Sequence, residues 1–502
     1  MNYLNIINFI RGCEPRCKID LFEPVREQMA LSLENDLPTT WLLQYDALTE
    51  GPYTNFLIEK MPDTHECGMW FEFVQAAVEK AGLKWRGRYP WDWHTDVGFS
   101  IGYLPEERER IADVMMEAFQ QRFGHYPSVI GCWFFDAHLL SYLSDRYGIT
   151  AAVNCRDQWG TDGYTLWGGY WANGYYPSRR NAYLPAQTST NQIHVPVFRM
   201  LGSDPIYQYA SSCDPLHGQE VITLEPVYKT AGGGGTPSWV DWYFKEVFSI
   251  PSPSLTYVQM GQENSFGWPA MSDGCRYQIK KVKELQDNGT ITVNTLGALG
   301  KIFRHRYAVT PCSLAGAESD WKNENRKSVW YLSRKWRLQF HRNRDRKLFL
   351  VDWHMFSDTY EELYLKTPCT TNSCLYDALP LLDGNRWRTE GLELGTAGDW
   401  AIRMRSPETM ELNWRSDDGR LITIIVKDGE LIINGNSNLI WHETGQQMEV
   451  AGTKRKIENR KLLYTHNDHE YSLACNCLLS PCREGFQVVP ETENIIFRIN
   501  KQ

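Results

Sequence analysis

The sequence lacks the short motifs that mark the commonest nucleotide-binding and serine-hydrolase sites. It contains no GxGxxG fingerprint, no P-loop and no Ser-centred nucleophile elbow. The four glycines at 232–235 do not follow a strand in a phosphate-cradling pattern, so we assign them no phosphate-binding function. We therefore expect no nucleotide cofactor.

Long apolar runs and an excess of positive charge are also missing. No segment approaches the roughly 20 apolar residues that a membrane-spanning helix needs. The formal net charge is −9, which disfavours binding to nucleic acid or to an anionic membrane surface. We predict no nucleic-acid partner and no membrane span; the oligomeric state stays open.

The 13 cysteines are scattered, and their close pairs lack the paired spacing of a zinc site. The opening residues, MNYLNIINFIRG, have neither a basic n-region nor a small-residue cleavage site and are typical of a first strand. Reduced thiols in a cytoplasmic protein are the simplest interpretation. If a signal peptide was removed, a secreted or periplasmic location would give the same pattern.

Aromatic residues, by contrast, are abundant. The chain has 20 Trp and 26 Tyr, many of them beside Gly, Asp, Asn or Arg. Aromatic rings bury the apolar faces of sugars, while carboxylates and amides bind the hydroxyl groups. The composition favours an oligo- or polysaccharide ligand, but a large aromatic core would produce the same counts.

Strand and helix patterns alternate up to about residue 315, which predicts a parallel α/β barrel of about seven strands with right-handed crossovers. From about residue 328, short strand-like runs alternate with turns and helical periodicity largely disappears. We predict a seven-stranded (β/α) barrel over 1–315 and an all-β sandwich over 316–502. The predicted barrel strands are Tyr3–Ile10, Thr39–Tyr45, His65–Glu72, Val129–Phe135, Ile149–Asn154, His194–Leu201 and Leu255–Met260.

The most informative stretch is LTYVQMGQENSFGW, residues 255–268. An apolar run of strand character stops at Gly261, and polar residues follow at once, with aromatics behind them. Barrels of this class build their active sites at the carboxyl ends of their strands. Glu263 is therefore our first candidate for a catalytic acid, against the alternative of a solvated loop carboxylate or a helix cap.

Asp136 ends the predicted fourth strand in the same way. Only a closed barrel could bring it close to Glu263, because 127 residues separate the two (263 − 136). Two carboxylates on one face suit glycoside hydrolysis, in which one is a nucleophile or base and the other protonates the leaving oxygen. We predict Asp136 as nucleophile or base and Glu263 as acid; the alternative is a pair of ordinary polar residues at strand ends.

Other polar and aromatic residues follow the same predicted strands. We expect them to bind substrate, although a His65 that is only structural and tryptophans that only pack the core are the open alternatives. With period-2 alternation, His65 and Glu66 would point to opposite faces. His94 and Asp96 are a further candidate metal pair. The predicted substrate-binding residues are Arg11, Glu14, His65, Glu66, Trp70, Asp157, Trp159 and Trp268.

The order of these parts resembles the glycoside hydrolase/deacetylase superfamily of seven-stranded barrels, some of whose members carry a β-domain behind the barrel. HECGMW (65–70) resembles the strand where polysaccharide deacetylases carry a Gly-His-Glu-Ile-Gly-type sequence. FGHYPSVIGCWFFDAH (123–138) resembles their Phe-Gly-x-x-Pro helix end and fourth strand. Over about 1–315, the chain is most similar to a bacterial family described jointly as glycoside hydrolase/deacetylase.

The departures from this resemblance concern the metal site. Metal-dependent deacetylases carry adjacent aspartates after the first strand and a His-x-x-x-His pair after the third. Here the first strand ends in NFIRG, and Met69 stands four residues after His65. The amylase-like hydrolases place acids after the fourth and seventh strands, as Asp136 and Glu263 are placed here, but their first-strand His is missing.

Three hypotheses follow. The first is a glycoside hydrolase that uses Asp136 and Glu263 and needs no cofactor. The second is a deacetylase with an altered divalent-metal site built from His65, Glu66 and His94. The third is a carbohydrate-binding protein without catalytic activity.

Overall fold

A computed structural model describes residues 1–209, 222–230, 232–388, 391–435, 438–443 and 445–499. It confirms the predicted class, a nearly closed α/β barrel followed by antiparallel sheets. None of the described helices is long and apolar enough to cross a membrane.

Seven parallel strands form the barrel, in the spatial order β7-β1-β2-β3-β4-β5-β6. They are almost entirely buried, as expected for parallel strands covered on both faces. The backbone amide of Leu201, just after β6, donates to Gln259 Oε1 on β7 at 2.8 Å and helps to close the ring. The strands are β1 Asn2–Ile10, β2 Thr39–Leu43, β3 Glu66–Trp70, β4 Val129–Gly131, β5 Ala151–Asn154, β6 Val197–Arg199 and β7 Thr256–Met260. Gly174–Tyr175 pairs antiparallel with β6, and Thr292–Val293 pairs parallel with β1.

Helices connect the barrel strands. Helices α5 and α6 end at Gly124 and Gly148, both in the left-handed region that glycine tolerates best. The α-helices are α1 Glu23–Glu34, α2 Tyr45–Thr49, α3 Tyr53–Lys60, α4 Gln75–Lys80, α5 Pro105–Phe123, α6 Ala137–Tyr147, α7 Pro237–Val247, α8 Trp268–Asp287, α9 Leu296–Arg306, α10 Gly384–Trp387 and α11 Gly445–Val450.

Two antiparallel sheets follow the barrel. Their facing surfaces pack together, for example where the rings of Trp353 and Phe497 meet edge-on with centroids 5.6 Å apart. The first sheet comprises Ser313–Ala317, Lys327–Leu332, Trp336–Arg342, Leu348–Met355, Leu379–Asp383, Leu392–Gly395, Leu439–His442, Leu478–Cys482 and Gly485–Val489. The second comprises Gly398–Ser406, Thr409–Ser416, Leu421–Lys427, Glu430–Asn434, Thr453–Glu458, Lys461–His466, His469–Cys475 and Asn494–Ile499.

The C-terminal part of the chain is joined to the barrel part by strand pairing. The strand Ser313–Ala317, which spans the predicted boundary at 315/316, already pairs in the first C-terminal sheet. A small sheet combines Gln158–Thr161 and Tyr164–Trp167, from the loop after β5, with Cys374–Asp377 from the C-terminal part. This small sheet holds in place the loop after β5, which forms one wall of the site described below.

Candidate active site

A cavity of about 390 Å³ opens at the carboxyl ends of the barrel strands. Four carboxylate residues line it, together with aromatic and polar side chains. The lining residues are Glu14, Arg16, Cys17, Trp133, Gln158, Thr161, Asp162, Tyr164, Leu201, Glu225, Tyr228, Glu263, Ser265 and Phe266.

Glu263 reaches this cavity because the chain turns sharply after β7. Gly261 has φ of +111°, and a Cβ on it would lie 2.1 Å from the carbonyl oxygen of Ile7, so the turn requires glycine. Asn264, next to Glu263, then donates to the carbonyl of Arg11 and accepts from the Arg11 amide, both at 2.9 Å. These bonds fix the loop after β7 against the loop after β1.

The guanidinium of Arg11 bridges two buried carboxylates. It lies 2.8 Å from Glu72 Oε1 and 2.7 Å from Glu263 Oε2. The guanidinium carbon of Arg11 lies 4.2 Å from the centroid of the Trp91 ring, so this ring packs against the cation and helps to fix its orientation. Burial raises the pKa of Glu263, and the positive charge of Arg11 opposes that shift.

Glu72 lies behind Arg11 and does not line the cavity. Its oxygens accept hydrogen bonds from Trp133 Nε1 and Gln44 Nε2, each at 2.8 Å, in addition to those from Arg11. Since four donors occupy this carboxylate, it anchors Arg11 rather than facing a ligand.

Glu225 is a second buried carboxyl group in the cavity wall. Burial raises its pKa to about 7, opposed by hydrogen bonds from the Thr223 hydroxyl at 2.8 Å and from Gln262 Nε2 at 3.2 Å. The negative charge of Glu263 raises the pKa further. Unlike Glu263, Glu225 forms no ion pair within the described parts of the chain. It is therefore the group in this cavity best suited to hold a proton near neutral pH.

The outer wall is more polar. Arg16 forms a bidentate pair with Glu14, with both N–O distances at 2.8 Å, and this pairing lowers the pKa of Glu14 against the effect of its burial. The guanidinium of Arg16 also lies over the rings of Trp91 and Trp93, with its carbon 5.1 and 5.0 Å from their centroids. Of the predicted residues, Glu14 and Glu263 line the cavity and Arg11 lies directly against it.

The structure separates Asp136 from this group. Asp136 is fully buried and caps helix α6, accepting from the Leu139 amide at 2.9 Å. Arg108 lies 2.9 Å from its Oδ1, and the Ser100 hydroxyl donates to its Oδ2 at 2.5 Å. With its oxygens occupied and no place in the cavity lining, Asp136 does not form the predicted pair with Glu263.

His65 and Glu66 lie at the wrong end of the barrel for substrate binding at this cavity. Strand β3 begins at Glu66, so both residues are at its amino end. Glu66 accepts from the Gly297 amide at 2.8 Å, near the start of helix α9. Trp41 Nε1 donates to His65 Nδ1 at 3.3 Å, and burial lowers the pKa of this histidine. The prediction failed because we grouped His65 and Glu66 with the residues that follow a strand and face a ligand, whereas they stand where β3 begins.

The predicted aromatic platforms are mostly core residues. Trp70 is fully buried and stacks on Phe9 with centroids 4.1 Å apart. Trp268, the first residue of helix α8, is 7% exposed and packs in a hydrophobic core cluster. Trp159 is half-buried under the guanidinium of Arg386, at 4.2 Å, so one face of its ring is already occupied. The aromatic side chains that line the cavity are Trp133, Tyr164, Tyr228 and Phe266.

Asp157 connects the two parts of the chain instead of lining the cavity. Its carboxylate lies 2.7 Å from Arg337 of the first C-terminal sheet and accepts from the hydroxyls of Tyr183 and Tyr209 at 2.7 and 3.1 Å. Arg337 is 180 residues away from Asp157 in the sequence. No sequence pattern indicated that it lies beside the end of β5.

A triad of Asp352, His354 and Asp383 is the one group in the described ranges with the residue types and spacing of a metal site. It does not fit a cation. Both oxygens of Asp352 accept from Arg337, at 2.9 and 2.7 Å, and Asp383 accepts from Trp167 Nε1 at 2.7 Å. Burial lowers the pKa of His354, but the two carboxylates outweigh it and raise the pKa to about 9. A protonated imidazole and a guanidinium already neutralise these acids. The predicted His94 and Asp96 belong to no such group.

Glu225 and Tyr228 are cavity residues that the sequence did not reveal. They lie in an irregular segment after β6 that ends no predicted strand, and neither belongs to a recognisable motif. Glu72 was visible as a strand-end acid, but nothing in the sequence indicated that it faces Arg11.

No family model and no curated protein sequence matches this chain. Among solved structures, it is similar to a candidate glycoside hydrolase/deacetylase from Parabacteroides distasonis, with 16% identity and a TM-score of 0.56 over 75% of this chain and 90% of that one. A candidate polysaccharide deacetylase from Mycobacterium smegmatis matches at 11% identity and a TM-score of 0.36, over 61% and 90% of the two chains. A peptidoglycan deacetylase from Bacillus subtilis matches at 11% identity and a TM-score of 0.26, over 61% and 93%. The first likeness confirms the barrel fold expected from the sequence resemblance.

Proposed function

We propose that the protein is a carbohydrate-active hydrolase that cleaves a glycosidic bond with Glu225 as general acid and Glu263 as nucleophile or base. The observation that carries this proposal is the pair of buried carboxyl groups in one open cavity, only one of which has a cation beside it. Glu225 replaces Asp136 in the pair inferred from the sequence.

The two environments support different functions for the two acids. Arg11 stabilises the ionised form of Glu263, which a nucleophile or base requires. Glu225 has no such partner among the described residues, and its pKa of about 7 keeps a large fraction protonated at neutral pH. Glycosidases divide acid and nucleophile between two carboxylates in this way.

The walls of the cavity suit a sugar. Trp133, Tyr164 and Phe266 provide ring surfaces, and Gln158 and Glu14 provide amide and carboxylate groups for hydroxyls. The joint name of the Parabacteroides distasonis protein, glycoside hydrolase/deacetylase, points to the same broad class of substrate.

Deacetylation is the second candidate, because that name includes it. Activation of water by a metal would need three protein ligands at the cavity. The only candidate triad in the described chain lies in the C-terminal sheets and is already charge-paired. The cavity carboxylates therefore favour glycosidic cleavage over a metal-assisted reaction.

The test is product analysis on a panel of plain and acetylated glycans, scoring new reducing ends and free acetate in the same samples. New reducing ends, unaffected by a chelator, are the expected result. Acetate without reducing ends, lost on chelation and restored by a divalent metal, would replace the proposal with a deacetylase. Binding of a glycan with neither product would indicate a carbohydrate-binding protein.

A further inference from the structure

A buried guanidinium without a carboxylate partner lies just after strand β5. Arg156 is 3% exposed and forms no ion pair with any described residue, and its Nε has no hydrogen-bond acceptor. Its carbon lies 4.8 Å from the ring centroid of Trp171, which also stacks on Trp330 at 4.7 Å. The cation is thus packed against an aromatic ring, and no carboxylate among the described residues neutralises it.

Such an arrangement is costly. Arginine cannot lose its proton in a protein, so it cannot escape burial by becoming neutral. A buried charge without a partner is strongly destabilising. The other buried guanidinium groups of this barrel have acceptors: Arg11 and Arg108 contact carboxylates, and Arg199 donates to backbone carbonyls and to Asn154 Oδ1. An anion at Arg156 would remove this cost.

Two further hydrogen-bond donors in the same region lack acceptors. The hydroxyl groups of Tyr243 on helix α7 and Tyr257 on β7 are buried, and neither donates to an acceptor among the described residues. The backbone amide of Tyr257 donates to Asn173 Oδ1 at 2.9 Å, two residues from the Trp171 ring that packs on Arg156. Burial raises the pKa of both phenols, and the positive charge of Arg156 opposes the shift in each case; for Tyr243 a hydrogen bond from Arg156 opposes it as well. A guanidinium and two phenol hydroxyls form a donor set suited to an oxyanion or a carboxylate.

The buried acids of this region are already engaged. Asp204 accepts from the indole nitrogens of Trp239 and Trp321, both at 3.0 Å. Glu225 accepts from Thr223 and Gln262. Neither acid pairs with Arg156. No carboxylate of the described chain therefore neutralises this positive charge, and a bound anion would do so.

The cluster lies directly behind the wall of the cavity. A Cβ on Gly202 would be 2.8 Å from the Tyr243 hydroxyl, and the preceding residue, Leu201, lines the cavity. Gln158, two residues after Arg156, lines it as well. We propose that Arg156, Tyr243 and Tyr257 form a binding site for a small oxyanion or carboxylate adjacent to the candidate active site.

The direct test is calorimetric titration of the full chain with sulfate, and separately with acetate, at constant ionic strength. Tyr243→Phe and Tyr257→Phe keep the packed rings and remove only the hydroxyls, while Arg156→Gln removes the charge. We expect saturable binding by the wild type, weakened about tenfold or more by Arg156→Gln, because a hydrogen bond to a charged group contributes that much. Tyr277→Phe, at a half-buried tyrosine whose hydroxyl donates to Asp241 at the surface, is the matched control and should bind like the wild type.

Two results would overturn the proposal. One is the absence of saturable binding by the wild type, which would mean that water alone solvates Arg156. The other is equal binding by the wild type and both Tyr→Phe variants, which remain informative if Arg156→Gln does not fold. These are binding measurements, so they stand whether or not the protein cleaves glycans.

The source of the anion is a separate question with its own comparison. A uronic-acid oligosaccharide and its neutral counterpart present the same sugar rings with and without a carboxylate. If the charged glycan binds more tightly to the wild type and loses that advantage in Tyr243→Phe, the site recognises a substituent of the substrate. If sulfate binds but the two glycans do not differ, the site holds a free anion.

Discussion

Arg11 Nη1 lies 2.7 Å from Glu263 Oε2, in an ion pair that is almost completely buried. The same guanidinium pairs with Glu72, so one cation balances two carboxylates in a region with little solvent. The candidate active site is therefore a charge network as well as a cavity, and its parts can be tested one at a time.

Arg11→Met should leave two buried carboxylates without a cation. We expect a loss of about 3–5 kcal/mol in the free energy of unfolding, the usual cost of breaking a buried pair. Chemical denaturation measures this loss. Arg26→Met, at an exposed position on helix α1, is the control and should change stability by less than about 0.5 kcal/mol. Equal stability of the two variants would contradict the network.

Glu225→Gln and Glu263→Gln should each reduce kcat by about 100-fold or more, since general acid–base groups contribute that much. Both changes preserve the size of the side chain, and binding of a glycan should persist. Glu34→Gln, at an exposed position on helix α1, should retain full turnover. If either cavity variant kept wild-type turnover, that residue would lose its proposed function.

The pH dependence of turnover should report on Glu225. A general acid must carry its proton, and the pKa of this group is about 7. The rate should therefore fall as the pH rises through about 7, and the residual activity of Glu225→Gln should lack this descending limb. A descending limb that survives unchanged in Glu225→Gln would assign the proton to another group.

The sequence predicted the barrel well because its signal is local. Each of the seven strands is a short apolar run that ends in turn-forming or polar residues, and such runs carry their own periodicity. Glu263 was found for the same reason, since Gly261 marks the end of β7 and the acid follows two residues later.

The partners of these residues could not be predicted, because they depend on packing between distant segments. Asp136 follows β4 as a catalytic residue would, but its carboxylate is used by helix α6 and by Arg108. Glu225 lies in an irregular loop with no local pattern. Asp157 meets Arg337 only because the C-terminal sheet packs on the barrel. A residue type at a strand end therefore predicts which end of the barrel it occupies, not whether its oxygens are free.

Asp136→Asn separates a structural function from a catalytic one. It removes the charge that balances the buried Arg108, so we expect about 3–5 kcal/mol of destabilisation. Turnover per folded molecule should remain close to that of the wild type, because Asp136 does not line the cavity. Activity corrected for the folded fraction measures this. A variant of normal stability without turnover would restore Asp136 to the catalytic pair.

His354 should make the stability of the protein depend on pH in the mildly alkaline range. Its ring nitrogens lie 2.9 Å from Asp352 and 3.3 Å from Asp383, and its pKa is raised to about 9 from an unfolded value of about 6.5. Below the unfolded pKa the full stabilisation is present. As the pH rises from there through about 9, the folded state still holds a proton that the unfolded state has released, so stability falls and the contribution is lost.

Asp352 should make the stability of the protein depend on pH in the opposite direction, at low pH. Burial raises its pKa, but Arg337 and His354 outweigh this and lower it, so its contribution is present above the unfolded pKa and is lost on acidification. Denaturation of the wild type and of His354→Gln at pH 6, 7.5 and 9.5 tests the alkaline limb. The wild type should lose more stability over this range than the variant does. Parallel profiles would mean that His354 is neutral in the folded protein and that the triad is not the charge-paired group described above.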